Sequence, residues 1–487
     1  MQGQSITRNT WLCIALVVIA GLAARALAFA PFDISHADEL MQYLEQGQRL
    51  ATGHGIVPWE YRYGARNEIL PQLLAVPFWL GAKFAPGTLA GMLAARWLFL
   101  AVCLLALPAA WRLGALTSRT HALAALFVAA LWYESVLFST LLLSEVLAAA
   151  LIGLAAALLL AAAPSRAALR WAGLLLGLGI IVRLQYAPFV AVLALARLRT
   201  DWRAWGQLLL GGMAALALGV LSDLAAGQVP LRWIWVNLSY NMGQGRAARF
   251  GAAGPLEYLW QLLDHLGPAA PLILAGALLS PARYRPLVLA LIANLLFHSL
   301  IAHKEYRFVW LSVWSITVLA AIASVSLAQA LAARRGRELS LAGLALLGAL
   351  WLAASFAAQA QSGGARTLRG GAPIPLAANA AAARPQTCGI ALPDQWRAHL
   401  VPALLPRAVP LYVAPAEVMR QGQPLPAGLV SAADVLIFPR LPSGAPGYRE
   451  LTCRANAVLK ACVYVRPGGC LDDPNWTYQA ALEREDL

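Results

Sequence analysis

The residues best suited to acid–base chemistry lie in the segment 31–70. It carries six of the 23 acidic residues of the chain, namely Asp33, Asp38, Glu39, Glu45, Glu60 and Glu68. The apolar residues after Glu39 recur at helical spacing, so Asp38 and Glu39 are predicted to begin a short helix. A carboxylate at this point could take the proton of an attacking hydroxyl group. We predict Asp38 as a catalytic base, with Glu39 as second choice; the alternative is that Asp38 only caps the helix.

A second group of ionisable residues lies between two apolar stretches and comprises His303, Lys304, Glu305 and Arg307. Ionisable groups at membrane depth are costly and usually functional. Lys304 and Arg307 are three residues apart, so on a helix they would share one face. Together they could hold one phosphate group. The alternative is that these charges anchor the chain at the membrane surface and neutralise one another.

Two further polar interruptions occur within apolar stretches. The run Arg183-Leu184-Gln185-Tyr186 interrupts a hydrophobic hairpin at 170–197. Arg183 either snorkels to the membrane surface or contacts a phosphate or pyrophosphate group, and Gln185 and Tyr186 are candidate substrate contacts. Glu145 lies deeper in an apolar stretch and is predicted to be paired.

His36 stands close to Asp38 and Glu39 and would allow a metal site there. The spacing of these residues is not a recognised ligand set, so no metal and no other cofactor is predicted. A divalent ion at this point is the alternative.

The composition shows which elements must position these groups. Of the 487 residues 60% are hydrophobic and only 12% are charged, against about a quarter in soluble proteins. The mean hydropathy is +0.64. Apolar runs of about 18 residues or more recur along the chain, and each is long enough to cross a hydrocarbon core about 30 Å thick. The sequence therefore predicts a polytopic α-helical membrane protein, in contact with membrane lipids.

We predict about eleven transmembrane helices. They are placed at 11–30, 88–111, 121–135, 137–162, 170–183, 184–197, 205–226, 264–280, 286–302, 308–332 and 339–358. Arginines cluster in the short hydrophilic breaks, and such clusters mark the cytoplasmic side. Four segments then fall outside, at 31–87, 227–263, 303–307 and beyond 359. The net charge of +14 is thus explained by topology, and no nucleic-acid partner is predicted.

Both candidate groups accordingly fall on the extracytoplasmic side. A rival for the first span is a signal peptide cleaved near 26–30, after which the following segment would still lie outside. Residues 1–358 are predicted as the transmembrane catalytic domain, with 31–87 as its first outer loop, and residues 359–386 as a linker.

The segment 387–487 is predicted to be a small extracytoplasmic α/β domain. Short β-rich runs occur at 409–413, 434–438 and 461–465, with helices near 394–405 and 449–459. It contains Cys388, Cys453, Cys462 and Cys470. Four cysteines in one polar domain predict two disulfides with three pairings open, and a zinc site is the alternative.

Three motifs, in this order and spacing, resemble glycosyltransferase family 22 within the GT-C superfamily. That family includes the mannosyltransferases of glycosylphosphatidylinositol-anchor and lipid-linked oligosaccharide synthesis. The motifs are His36-Ala37-Asp38-Glu39 with Gln42 and Gln46, Trp59-Glu60-Tyr61-Arg62 with Arg66, and His303-Lys304-Glu305-Tyr306-Arg307-Phe308. Ala37, Pro58 and Asn67 depart from residues common in the family, which bears on the choice of acceptor.

The resemblance implies a GT-C fold and an inverting transfer of mannose from a lipid-phosphate donor to a glycan or glycolipid acceptor. It also implies that Asp38 is the base. Dolichyl-phosphate mannose is the usual donor, but the Ala- and Arg-rich composition favours a bacterial inner membrane and undecaprenyl phosphate. Donor-phosphate contacts are expected from Lys304, Arg307, Arg183 and His303. Substrate contacts are expected from His36, Gln42, Trp59, Glu60, Arg62, Arg66, Gln185, Tyr186, Glu305 and Tyr306.

Two other classes of function compete with a glycosyltransferase. A lipid or solute transporter would be expected to show inverted halves and charges within its spans. No internal repeat is found, and many of the acids gather in a loop. A non-catalytic assembly factor would use the loop acids only as helix caps.

Overall fold

The computed structural model describes residues 8–34, 36–363 and 369–486. The chain forms two compact units. Unit 1 joins Met1–Phe29 to Leu100–Gly364, and unit 2 joins Ala30–Phe99 to Ala365–Leu487. This division differs from the predicted domain boundaries, because the loop 31–87 groups with the C-terminal segment.

The N-terminal third begins with one long apolar helix and continues with short helices around the acidic segment. In order these are α1 (Arg8–Ala28), a π-helical turn (Glu39–Leu44), α2 (Glu45–Thr52), α3 (Trp59–Arg62), α4 (Ile69–Phe84) and α5 (Ala90–Cys103). The turn and α2 form one continuous helical segment that ends at Gly53, whose φ of 77° gives the left-handed cap that glycine favours. The sequence analysis placed α4 within a loop, but it is a 16-residue apolar helix.

Apolar helices make up nearly all the rest of unit 1. They are α6 (Ala106–Ala115), α7 (Arg119–Leu131), α8 (Tyr133–Ser139), α9 (Ser144–Leu159), α10 (Arg166–Val182), α11 (Ala187–Leu198), α12 (Trp202–Ala225), α13 (Arg232–Leu238), α14 (Glu257–His265), α15 (Ala270–Leu278), α16 (Arg285–Ser299), α17 (Trp310–Ala333) and α18 (Leu341–Ser362). Short 3-10 turns at Leu184–Tyr186 and Tyr306–Val309 lead into α11 and α17.

Five helices of the described chain are long and apolar enough to cross a membrane, or up to seven if each bent pair is one span. The chain is therefore a multi-pass integral membrane protein. Each predicted span coincides at least in part with helix, but several of those helices are shorter than a full crossing. The number eleven stays a prediction.

A buried arginine supplies hydrogen bonds to backbone carbonyl groups at the break between α7 and α8, which meet at a bend of 58°. Trp132 is extended between them, so the helical hydrogen-bond ladder is interrupted there. The guanidinium of Arg25 donates to the carbonyl oxygen of Gly21 and, at the break, to those of Ala129, Ala130 and Ser135, at 2.7 to 3.2 Å. Since backbone acceptors within a membrane must find partners inside the protein, Arg25 stabilises the break.

Close packing of α10 on α12 fixes the helix that leads to Arg183. A Cβ atom on Gly173 would stand 1.9 Å from the carbonyl oxygen of Leu208. A Cβ atom on Gly211 would stand 1.9 Å from that of Arg170. Only glycine allows the two backbones to approach this closely.

The C-terminal part of unit 2 is a five-stranded mixed sheet with short helices. The strands are β1 (Ile390–Leu392), β2 (Leu411–Val413), β3 (Val435–Phe438), β4 (Arg449–Ala455) and β5 (Lys460–Val465). Their order is β2-β1-β3-β5-β4, in which β1 runs parallel to β2 and β3 while β5 runs antiparallel to β3 and β4. The helices are α19 (Pro373–Ala382), α20 (Gln395–Ala398), α21 (Ala416–Arg420), α22 (Ala427–Ala432) and α23 (Tyr478–Glu485).

This sheet confirms three predicted strands and corrects two other predictions. Strands β2, β3 and β5 lie in the predicted β-rich runs, whereas the helix predicted near 449–459 is wrong because β4 occupies that place. Every residue of β4 is exposed, so this edge strand lacks the apolar alternation that would have marked it. Within the predicted linker 359–386, the Ala-rich run forms α19, and residues 364–368 lie outside the described part.

The four cysteines of this domain are joined as Cys388–Cys470 and Cys453–Cys462. The second pair faces across the antiparallel strands β4 and β5, where Cys453 and Cys462 are register partners. The first pair joins Cys388, two residues before β1, to the segment after β5.

Removal of the two disulfides is expected to have unequal effects on stability. The Cys388–Cys470 bond closes a separation of 82 residues and the Cys453–Cys462 bond one of 9. Because cross-linking a longer loop removes more entropy from the unfolded chain, replacing the first pair by alanine should cost about 2 kcal/mol more than replacing the second. Thermal unfolding of the two double variants measures this difference. An equal loss, or a larger loss for the short loop, would contradict it.

Candidate active site

Asp38 lies at the start of the π-helical turn, where helical spacing placed it. Its side chain makes no capping hydrogen bond at the helix terminus. The residue is only half-buried. The capping alternative therefore does not describe this carboxylate, which keeps access to the surface as a base requires. π-Helical turns are rare and often occur at functional sites.

Glu39 has a different environment from that of its neighbour. It is fully buried, and its Oε2 atom lies 3.1 Å from Nη2 of Arg96 on α5. A buried carboxylate paired in this way anchors the helix start and is poorly placed to exchange a proton with a substrate. Arg96 is not among the site residues predicted from the sequence, although a lone arginine inside an apolar span is itself a signal.

A polar network lies next to Asp38 in unit 2. The Gln42 amide donates to Oε1 of Glu60 at 2.7 Å. Burial raises the pKa of the Glu60 carboxyl, which the charge of Arg66 lowers and that of Asp38 raises. Asp38, Glu60 and Arg66 are therefore close enough to influence one another electrostatically. The first two motifs of the sequence analysis thus supply one cluster.

The C-terminal domain contributes His399 to these surroundings. The His399 ring shares a hydrogen bond with the Tyr478 hydroxyl, which also lies 3.3 Å from the sulfur of Met41, one helical turn after Asp38. Burial lowers the pKa of His399 to about 4, and the charges of Asp38 and Asp394 oppose this. The imidazole is thus neutral at pH 7. No motif in the tail pointed to His399.

The backbone before Asp38 is tied to the segment that leads into α19. Oδ1 of Asp33 accepts hydrogen bonds from the backbone N–H groups of Gly370 and Ala372, at 2.7 and 3.2 Å. A Cβ atom on Gly371 would stand 1.7 Å from the carbonyl oxygen of Ile34, so only glycine fits. Asp33 thereby fixes the loop that leads to the π-helical turn.

Some of the other predicted substrate contacts in this loop are buried or bonded within the loop, and others retain exposed surface. Gln46 donates to the carbonyl oxygens of Met41 and Ile56, so its amide stabilises the loop. Trp59 is buried in α3. His36, Arg62 and Arg66 are half-buried and retain exposed surface. Their roles as substrate contacts stay predictions.

Stability should depend on pH through Glu45, which is buried in α2. Burial raises the pKa of this carboxyl from 4.5 to about 7, although it accepts the Ile56 N–H at 2.8 Å. Between these values the folded protein holds a proton that the unfolded chain has released, so stability falls as pH rises through this window. The destabilisation is fully present above pH about 7 and absent below about 4.5.

Glu45→Gln keeps an acceptor oxygen without the charge. We expect it to raise the melting temperature at pH about 8 and to leave it nearly unchanged at pH about 4.5. Thermal unfolding of both proteins across this range tests the expectation. A shift of the same size at both ends would show that the charge of Glu45 is not the cause.

In unit 1, two arginines share one buried carboxylate. Oε1 of Glu145 lies 3.3 Å from Nη2 of Arg183 and 3.5 Å from Nη1 of Arg307. The side chains are 0%, 6% and 6% exposed. Both guanidinium groups also contact the ring of Phe308, whose centre is 4.9 and 5.0 Å from their central carbons. Glu145 is therefore paired, as predicted, and both guanidinium groups contact it.

Glu305 and His303 extend this cluster. Oε2 of Glu305 lies 2.6 Å from Nε of Arg307, and Oε1 lies 2.9 Å from Nε2 of His303. The other ring nitrogen of His303 is 3.2 Å from the carbonyl oxygen of Gly251. These contacts order the segment before the 3-10 turn and leave Glu305 partly exposed.

Lys304 does not share a helical face with Arg307, so that part of the prediction is wrong. Residues 303–305 are not helical, because the 3-10 turn begins only at Tyr306. The Lys304 ammonium donates to the carbonyl oxygens of Ala253 and Ile301 and lies 6.0 Å from the ring centre of Tyr258.

The remaining candidates near Arg183 make their hydrogen bonds within the protein. Gln185 donates to Oδ1 of Asn237 at 3.3 Å. Tyr186 is fully buried and its hydroxyl accepts the Leu311 N–H at 3.3 Å, which makes it a packing residue. Two guanidinium groups in a fixed arrangement can nevertheless receive phosphate oxygens through paired donors.

Known proteins resemble this chain in sequence and in fold. GPI alpha-1,2-mannosyltransferase 3 of Danio rerio is 35% identical over 107 residues, which is 20% of this chain and 19% of that relative. The crystal structure of ArnT from Cupriavidus metallidurans bound to undecaprenyl phosphate has a TM-score of 0.57 at 13% identity, and covers 94% of this chain and 98% of its own. The apo ArnT structure matches with a TM-score of 0.57 at 15% identity, over 93% and 97% of the two chains.

At such identities the ArnT structures are similar in fold alone, and the matched part of the Danio rerio protein is about a fifth of its length. A family match extends much further. Residues 16–372 match the Alg9-like mannosyltransferase family, and this range includes all three motifs. The chain therefore belongs to the Alg9-like mannosyltransferases, glycosyltransferase family 22 of the GT-C superfamily.

Proposed function

We propose that this glycosyltransferase moves mannose from a polyprenyl-phosphate donor to an acceptor hydroxyl group on the extracytoplasmic face, with inversion at the anomeric carbon. The observation that carries the proposal is Asp38, a half-buried carboxylate in the family motif that does not cap its helix. The arginine pair on Glu145 supports the phosphate part.

The reaction is a single displacement. Asp38 accepts the proton of the acceptor hydroxyl group while the oxygen of that hydroxyl group forms a bond to the anomeric carbon. The bond between that carbon and the phosphate oxygen breaks, and polyprenyl phosphate leaves with the electron pair. Arg183 and Arg307 stabilise the charge that develops on the leaving phosphate.

Two observations support the lipid donor and the sidedness. The ArnT structure similar in fold was solved with undecaprenyl phosphate, a lipid phosphate of the proposed class. The pairs Cys388–Cys470 and Cys453–Cys462 favour an oxidising compartment for the C-terminal domain. A bacterial inner membrane, with undecaprenyl phosphate as donor lipid and a glycolipid or glycan as acceptor, fits both.

The test is transfer by purified protein in lipid vesicles. The donors are labelled undecaprenyl-phosphate mannose and, for comparison, the glucose-bearing donor and GDP-mannose, with extracted membrane glycolipids as acceptors. We expect mannose transfer from the lipid donor only, a product of opposite anomeric configuration, and full activity after chelation because arginines hold the phosphate. Retention of configuration, or transfer from GDP-mannose alone, would refute the proposal.

A further inference from the structure

A buried polar group in unit 1 lies beside the motif 303–308. Glu134, the second residue of α8, is fully buried. Its Oε1 atom lies 3.1 Å from Nδ1 of His265, and its Oε2 atom accepts from the Trp132 indole N–H at 3.1 Å. Both oxygens of this carboxylate therefore have partners within the domain.

His265 connects Glu134 to the motif. Its ring stacks on that of Tyr306, with centroids 3.7 Å apart and planes inclined by 16°. Tyr306 is the first residue of the 3-10 turn and the immediate neighbour of Arg307. A displacement of the Tyr306 ring would therefore move the backbone from which the Arg307 guanidinium reaches Glu145.

The same segment of chain holds the motif at its other end. The Ala253 N–H donates to the carbonyl oxygen of Ala302 at 3.0 Å, and Lys304 donates to that of Ala253 at 3.2 Å. Residues 251–265 thus contact the motif both before and at Tyr306. The segment ends in His265 at the C-terminus of α14.

A purely structural role would not need these residue types. A buried acid with a histidine is a costly way to fill space in a membrane domain, where apolar side chains pack without loss of hydration. What the polar pair adds is orientation, because a carboxylate bonded to one imidazole nitrogen fixes the plane of the ring. The stacked Tyr306 ring then takes its orientation from His265.

We infer that Glu134, His265 and Tyr306 are positioning residues that hold Arg307 in the geometry needed to bind the donor's phosphate. This inference rests on the proposed function and deepens it, because it assigns donor binding to a network outside the arginine pair. It also gives Tyr306 a role different from the substrate contact implied by the family resemblance.

The experiment compares four variants with the wild type in the vesicle assay. His265→Ala and Tyr306→Leu should raise the KM for undecaprenyl-phosphate mannose about 10- to 100-fold and change the acceptor KM less than about twofold, since small displacements of a binding group have effects of this size. His265→Phe retains a ring for stacking but loses the bond to Glu134, so it should recover only part of the loss and leave the donor KM at least about threefold above that of the wild type.

The matched control is His121→Ala. His121 is likewise buried. It lies near the N-terminus of α7, whereas Glu134 follows the C-terminus of that helix, and it is hydrogen-bonded to Ser118 and Ser326. It should alter stability without a change in donor KM. An unchanged donor KM in both His265→Ala and Tyr306→Leu, or an equal rise in His121→Ala, would overturn the inference.

A binding measurement separates this inference from the proposed reaction. Undecaprenyl phosphate should raise the melting temperature of the wild type and of His121→Ala, and this rise should shrink in His265→Ala. If the wild type transfers no sugar, the proposed function fails, yet loss of the thermal shift in His265→Ala still supports the positioning role. A full shift in that variant rejects the role whatever the activity.

Discussion

Replacement of Asp38 by asparagine is expected to lower kcat by about 10²- to 10⁴-fold, the usual contribution of a general base. The amide has the shape of the carboxyl group but cannot take the acceptor's proton. The melting temperature should change little, because asparagine keeps the size and shape of the side chain at a half-buried position. Steady-state transfer rates and thermal unfolding of the same preparation measure the two effects.

Glu39→Ala is the matched control, since it removes the adjacent carboxylate. It breaks the buried ion pair with Arg96, and the loss of one partner of such a pair typically costs about 3–5 kcal/mol of stability. The two variants should therefore separate, with catalysis lost in one and stability in the other. An Asp38→Asn protein that keeps most of its activity would remove Asp38 from the reaction, and kinetics of folded Glu39→Ala would then be decisive.

The helix start at Asp38 could be predicted because its signal is local. Apolar residues at helical spacing after Glu39 define the buried face of a helix. Asp38 directly precedes this pattern and is therefore predicted at the start of the helix. The partner of Glu39 could not be predicted in the same way, because Arg96 is 57 residues away in sequence. His399 is more distant still, and the short helix that precedes it has no distinctive pattern.

The predicted shared helical face of Lys304 and Arg307 is wrong because it rests on sequence spacing alone. Their spacing of three residues suggests one helical face. Two residues share such a face only if both belong to the same helix, which must then begin at or before Lys304. Here the 3-10 turn begins at Tyr306. Contacts of Ala302 and Lys304 with Ala253 keep the preceding residues extended, and such long-range hydrogen bonds leave no trace in the local pattern.

Ionisable residues in the predicted spans are a signal that a buried partner exists. Glu134, Arg25 and Arg96 all stand in apolar stretches, and each is buried against specific partners in the structure. Because an ionisable residue in a membrane span needs a partner, its presence predicts that a partner exists. It does not predict which residue that is, since the partner depends on how the helices pack.

Replacement of Arg307 by alanine is expected to weaken donor use by about 10- to 150-fold, the equivalent of a lost charge-assisted contact of about 1.5–3 kcal/mol. Arg307→Lys should recover only part of this, because lysine keeps the charge but not the paired donors of a guanidinium group. Lys304→Ala should have the smaller effect, since its ammonium is bound to the Ala253 and Ile301 carbonyls. The donor KM and kcat of each inserted variant measure these effects, together with the acceptor KM.

A matched control is Arg170→Ala, which removes an arginine near the other end of the helix preceding Arg183. Arg170 is exposed and bonded to Gln207, so donor use should not change. Glu145→Ala should instead destabilise the protein by about 3–5 kcal/mol, because it leaves two buried guanidinium groups without their shared carboxylate. If Arg307→Ala and Lys304→Ala lose stability but keep the wild-type donor KM, these residues are membrane anchors and the phosphate is bound elsewhere.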